Sequence, residues 1–174
     1  MFINRRSPVP ALVLLISTVG PGLAQETVTY AHPGQPMSIE APIDWTARTW
    51  PSDSGVYEVA APDGSVRALL WFTQNEQGAA GYLNKMVDMK PVQPIGEPVQ
   101  TMIGGLEVWQ VVATGSELGD ENVTETFAVI HVGSSPMGEG NYVLQVWCPT
   151  GRAAELGPLA EDIANSLRVG DSAS

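Results

Sequence analysis

The chain has 174 residues, with 8 basic against 19 acidic side chains, a net charge of −11, and 44% apolar residues. That balance suits a folded domain and excludes an intrinsically disordered chain. An excess of carboxylates this large is repelled by phosphate backbones and anionic headgroups, so nucleic acid is excluded as a partner.

The first stretch, "MFINRRSPVPALVLLISTVGPGLAQ", pairs Arg5 and Arg6 with the uncharged run Ala11 to Val19 and ends on a small-x-small site, Gly22-Leu23-Ala24. It reads as a signal peptide over 1–24, cut near Ala24, which predicts a periplasmic or secreted protein with no stable membrane insertion after cleavage. The run falls short of the roughly 20 residues a spanning helix needs. Without Arg5 and Arg6, 6 cations face 19 acids, a charge of about −13.

Residues 25–35 read as a lead-in holding His32, with a short edge strand at "TVTYA". A domain is expected over 36–169, followed by a frayed tail, 170–174. "PMSIEAP" puts Met37, Ile39 and Ala41 on one side, the period of a half-buried strand. "DWTARTWP" follows, with Trp45 after a turn. "GVYEVAAPDGSVRALLWFTQ" predicts a hairpin around Asp63-Gly64, where glycine accepts positive φ. "GAAGYLNKMVDMK" changes to helical spacing at Ala79, Leu83, Met86 or Val87, and Lys90, with Pro91 as the stop. A link, "PVQPIGEP", separates it from three long strands: "VQTMIGGLEVWQVVATG", turning or bulging at Gly104-Gly105, "NVTETFAVIHVG" and "NYVLQVWCP". The final helix carries Leu156, Leu159 or Ala160, Ile163 and Leu167 on one stripe; Pro158 starts or bends it. Arg168 in its last turn complements the dipole.

Leu70 and Phe72 lean to one side of their strand and Leu69 and Trp71 to the other; Val108 and Val112 oppose Trp109 and Val111. Such strands need cover on both faces. The expected fold class is α+β: a mostly antiparallel sheet covered by helices, with the N-terminal segment adding cover.

In order, "SIEAPIDW", "GAAGYLNKM", "IGGLEVWQV", "YVLQVWCP" and "DIANSLRV" resemble the PsbP-like superfamily over roughly 35–169. That superfamily includes the extrinsic protein of photosystem II, a Ran-binding nuclear import factor and exported bacterial proteins of the DcrB kind. The resemblance implies an α/β/α sandwich and, for most members, non-catalytic binding or assembly. It brings no family-wide catalytic residue to carry over.

Motifs for chemistry are sparse. Trp-Cys-Pro entering a helix has the layout of a thioredoxin site, but Cys148 is the only cysteine, Gly151 stands where the second would be, and too little chain follows for that fold. Cys148 therefore reads as a small, partly buried residue ending a strand. His32 and His131 have no serine motif to serve. Glu125 and His131 share a strand face but lie about 20 Å apart, too far to share a metal, and read as a solvated glutamate and a satisfied strand histidine. "SELGDENVTE", with Glu117, Asp120, Glu121 and Glu125, lacks the spacing of a calcium loop and reads as a charged hairpin tip. No cofactor and no metal are expected. Five tryptophans remain; most suit core packing, while Trp71 and Trp109 are the candidates for a ligand or partner surface. The expectation is an exported, non-enzymatic binding or assembly module of the cell envelope that engages a protein partner. A small-ligand carrier with a Trp-lined cleft is the alternative.

Overall fold

The computed structural model describes residues 26–51, 55–75, 77–90, 92–116, 122–133, 135 and 137–170. The expected signal peptide, residues 171–174 of the expected tail 170–174, and Glu117, Asp120 and Glu121 of the acidic tip lie outside the described residues.

An eight-stranded antiparallel sheet is the centre of the molecule. Its strands are β3 (Thr46–Thr49), β4 (Tyr57–Ala60), β5 (Arg67–Gln74), β6 (Val92–Pro94), β7 (Val99–Ile103), β8 (Leu106–Ser116), β9 (Asn122–Val132) and β10 (Gly140–Pro149). They lie in the order β3-β4-β5-β10-β9-β8-β6, with β7 also paired to β8. A second sheet joins β1 (Thr27–Ala31), β2 (Met37–Pro42) and β11 (Arg168–Val169) in the order β1-β2-β11. Helix α1 spans Ala79–Met89 and α2 spans Ala153–Asn165, entered through a 3-10 turn at Thr150–Arg152.

Period-two alternation divides the apolar side chains between two cores. On one face Leu70, Val108, Ala128, Ile130, Leu144 and Val146 pack under α2 and under Met37, Ile39 and Ala41 of β2. On the other, Val111, Phe127, Val129 and Val143 pack against Ala79, Leu83 and Met86 of α1. The result is the expected α+β architecture, a mostly antiparallel sheet between two covering layers.

The turns follow from local chemistry. Gly104 and Gly105 both take positive φ, 58° and 83°, closing a two-residue hairpin between β7 and β8. The β4–β5 hairpin closes through Ala61 N–H to Val66 O and Gly64 N–H to Ala61 O, with Gly64 at φ 69°. Gly140 is required for another reason: a Cβ there would collide with the Thr73 carbonyl and the Phe72 ring.

Several local expectations need correction. "TART" forms strand β3, which pairs with β4 although all four residues are exposed. Part of the "PVQPIGEP" link is strand β6, paired with β8. Pro158 does not start α2; it sits inside the helix, exposed, where its missing N–H faces solvent. Arg168 has left the helix for β11, yet its guanidinium still donates to the Asn165 and Leu167 carbonyls at the helix end.

The lead-in is structured as well. Strand β1 pairs along all of β2, and the Tyr30 hydroxyl donates to the carbonyls of Pro42 and Trp45 at 2.9 and 3.0 Å. His32 is buried, edge-on to Tyr57 at 5.4 Å between ring centres. Gly34 N–H donates to its Nδ1 at 3.0 Å, so the neutral ring carries its proton on Nε2 and donates it to the Gly55 carbonyl at 2.9 Å. Burial, only partly opposed by the Gly55 contact, holds the imidazole below its ordinary value of 6.5.

Glu58, also buried, accepts from Arg48 Nε at 2.7 Å and Trp50 Nε1 at 2.8 Å, with Arg67 Nη1 at 3.6 Å. Burial alone would raise this carboxyl; the hydrogen bonds from Arg48 and Trp50 and both guanidinium charges outweigh it and hold it below the ordinary value of 4.5.

Both depressed groups make stability fall as pH falls, in separate windows. Below about pH 6.5 the unfolded His32 takes up a proton before the folded one does; below about 4.5 the same holds for Glu58. Urea midpoints measured from pH 7.5 to 3 should therefore decline in two stages. His32→Gln should flatten the first and Glu58→Gln should shrink the second, to which Asp63 and Glu155 also contribute; a Glu58→Gln protein whose lower stage is undiminished would contradict this assignment.

Candidate functional site

Helix α2 lies over β10 and β9 and leaves open the part of the same face of β8 that lies around Val112. Side chains on β8 alternate, so Val112 points the same way as buried Val108. Beyond the edge of α2, however, Val112 is 38% exposed, while its neighbour Val111 is buried on the opposite face. The outer edge of β8 is paired twice, by β6 at Pro94↔Ala113 and by β7 at Val99↔Gln110. Four residues, Ile95 to Pro98, thus stand opposite two, held by Ile95 N–H to Val112 O at 2.7 Å and turned at Gly96, φ 83°. This bulge leaves Ile95 57% and Val99 61% exposed.

Between the bulge and α2 lies a groove of about 520 Å³. Its helical wall is Ala153, Gly157, Ala160 and Ala164, whose i, i+4, i+7, i+11 spacing puts four small residues on one face. Its floor holds Gln110, Val112, Thr124 and Thr126, with Cys148 at the base. Glu97 stands on the bulge side and Glu161 on the helix side. No lysine, arginine or histidine is among the described lining residues.

Cys148 is 1% exposed, fully rather than partly buried. Burial pushes its thiol up, and the charge of Arg152 only partly offsets that, the reverse of an activated nucleophile. The groove can bury apolar surface and offer hydroxyl and carboxamide groups to a guest; it has no base beside a nucleophile. Among the described residues, no three His, Cys, Asp or Glu side chains are grouped to hold a metal ion, and no helix is long and apolar enough to cross a membrane.

Trp71 and Trp109 lie on the other side of the sheet. The register Trp71↔Val143↔Val129↔Trp109 puts them in one row with two strands between, roughly 14 Å apart at the usual strand spacing. Both are partly buried against the cluster under α1, and neither lines the groove. The Trp109 indole N–H donates to Glu107 at 3.0 Å. Of the other tryptophans, Trp45 is in the core under α2, Trp50 donates to Glu58, and Trp147 lies under the Arg67 guanidinium at 4.8 Å.

Glu125 is not solvated, as its sequence context suggested, but wholly buried. It accepts from Gln145 Nε2 at 3.2 Å and faces Lys90 Nζ at 3.8 Å, and Lys90 also lies over the Phe127 ring. The signal was available: Glu125 shares strand parity with Val123, Phe127 and Val129, all inward. His131 is separate from it, with Nδ1 3.2 Å from Asn141 Oδ1 and Nε2 3.6 Å from Glu139. The groove had one visible trace, Gly96 and Pro98 interrupting an edge strand. Which strand face α2 leaves bare is not encoded in any local pattern.

No family model and no curated protein sequence matches the chain. Solved structures do. LpqN of Mycobacterium tuberculosis, involved in cell envelope biogenesis, aligns with a TM-score of 0.55 at 18% identity over 84% of this chain and 91% of its own. CyanoP, the cyanobacterial PsbP of Synechocystis, aligns with a TM-score of 0.59 at 14% identity over 90% and 99%. The Ran-binding protein Mog1p of Saccharomyces cerevisiae aligns with a TM-score of 0.54 at 9% identity over 86% and 98%. At these identities the likeness is one of fold, and the fold of this chain is the PsbP-like one that its sequence resembles.

Proposed function

We propose that this chain is an exported, non-enzymatic module of the cell envelope, and that it engages a protein partner through the groove between α2 and β8. The observation that carries the reading is the rim itself: Ile95, Val99 and Val112 keep apolar side chains in water beside a groove walled by small residues. Exposed apolar surface gathered around a concavity is what a recognition site needs and what a merely soluble domain avoids. Support of a coarser kind comes from two structural neighbours, one an envelope-biogenesis protein and the other a Ran-binding protein. The signal-peptide pattern ending at Ala24 supports export, and an intact mass of the exported protein should begin at Gln25.

A second reading has its own observation. A volume of 520 Å³ lies within the range of small-molecule sites, which keeps a carrier role in view, with the ligand in this groove rather than beside Trp71 or Trp109.

Gly157 separates these readings from a bystander groove. A Cβ at Gly157 meets nothing within 4 Å, and replacing a helix glycine gains helix propensity of up to about 1 kcal/mol. Gly157→Leu should fill the groove without lowering the melting temperature, and should abolish capture of the partner from the cell's own envelope extract. Capture that survives in the plugged protein would refute the site. Native mass spectrometry of the same material decides the carrier reading, through a small bound mass present in the parent chain and lost in Gly157→Leu. Because Cys148 stands at the groove's base, Cys148→Ser should stay folded at a stability cost of about 1–2 kcal/mol for burying a hydroxyl. Capture by the parent chain should be the same with and without a thiol reductant; capture that a reductant abolishes would count against a non-redox role.

A further inference from the structure

Resting on the groove as the partner site, we infer that its occupant is a polypeptide segment whose apolar residues are flanked by lysine or arginine. The argument begins with the two carboxylates. Glu97 and Glu161 face the groove from opposite sides, one on the bulge and one on α2, both exposed and neither with a cationic partner among the described residues. Between them lies apolar surface, Ile95, Val99 and Val112, and no lysine, arginine or histidine stands among the described lining residues.

Of the described cations, Lys85 is exposed on α1, which covers the opposite face of the sheet, and the other five are committed elsewhere. Arg48 and Arg67 face Glu58, Arg152 bridges Glu155 and Asp63, Arg168 donates to the carbonyls at the end of α2, and Lys90 is held at Glu125 on the opposite face of the sheet. Arg152 is the described cation whose charge reaches the groove, at Cys148 on its base, and it is itself bridged to two carboxylates; no described cation lines the groove. An acidic peptide or an anionic headgroup would be repelled from it, and an uncharged apolar guest would leave both carboxylates unused.

The floor distinguishes a peptide from an acyl chain. Gln110, Thr124 and Thr126 present a carboxamide and two hydroxyls to whatever lies on them. A hydrocarbon tail would strip water from these groups and return no hydrogen bond, which is unfavourable. A peptide backbone carries a donor and an acceptor at each non-proline residue and can pair with them. Ala153, Gly157, Ala160 and Ala164 let such a backbone approach the helix closely, and Ile95, Val99 and Val112 supply apolar contacts for its side chains.

Two fluorescein-labelled 12-residue peptides test this, each with a Leu/Val/Ala centre, one ending in lysines and one in glutamates. The readouts are anisotropy for affinity and backbone amide shifts for position. The lysine peptide should bind and shift the amides of Val112, Thr126 and Gly157; the glutamate peptide should not. Glu97→Gln and Glu161→Gln lie on exposed positions and should fold normally. Each should weaken the lysine peptide about threefold, and together about tenfold, an effect that shrinks in high salt. Equal binding of both peptides, shifts centred under α1 near Trp71 and Trp109, or occupation of the groove by laurate but not by the lysine peptide would overturn the inference. Its failure is separable from that of the partner-site reading. If the lysine peptide fails while Gly157→Leu still abolishes partner capture, the site stands and the occupant's chemistry is wrong. If Gly157→Leu leaves capture intact, the site is wrong and the peptide comparison still decides the charge preference.

Discussion

Everything in this molecule is arranged around the burial of β10 on both faces. From Gly140 to Cys148 every residue is buried, and the strand pairs with β5 over eight positions and with β9 over ten. A strand in that position needs two layers of cover, and this domain has two unlike ones. Helix α1 supplies one; α2 and the small β1-β2-β11 sheet supply the other. With about 25 cal/mol gained per Å² of apolar surface removed from water, these layers are where the fold gains its stability. The groove exists because the second layer covers β10, β9 and the Val108 end of β8, and leaves the β8 stretch around Val112 open.

The same two-sided burial explains the polar groups inside. Glu58, Glu125, Asn141 and Gln145 sit on inward-facing strand positions in the layer that α1 covers only in part. Each is held by specific partners: Arg48 and Trp50 for Glu58, Gln145 and Lys90 for Glu125, His131 and the Gln77 carbonyl for Asn141. A charge buried without such partners would cost several kcal/mol, and the Arg48–Glu58 and Gln145–Glu125 contacts meet that need across neighbouring strands.

Much of this was legible in the sequence because long periodic segments determine their own structure. The α1 spacing, the two-faced strands β5, β8 and β10, and the glycine turns at Gly64 and Gly104-Gly105 can each be read within a dozen residues. Strands β3, β6 and β11 could not. They are two to four residues long and mainly supply edge pairing, so their existence depends on a neighbour distant in the chain. The charge of Glu125 points to solvent while its strand parity points inward, and parity prevails because Gln145 and Lys90 meet the carboxylate there. The groove was illegible for a different reason: it is a gap between a helix and a sheet edge, set by where α2 lies across the strands.

The small sheet ties the two ends of the folded body together. Strand β2 pairs on one side with β1 and on the other with Arg168 and Val169, and Gly170 N–H reaches back to the Pro36 carbonyl. A nascent chain therefore cannot complete this layer until residue 169 has left the ribosome. The central sheet also waits, since β5 finds β10 only across the stretch that separates Leu70 from Leu144. Contacts this distant in sequence form slowly and late. For the exported chain proposed above, such a topology would act as a timer, keeping the polypeptide from completing its fold until strand β11 has been made.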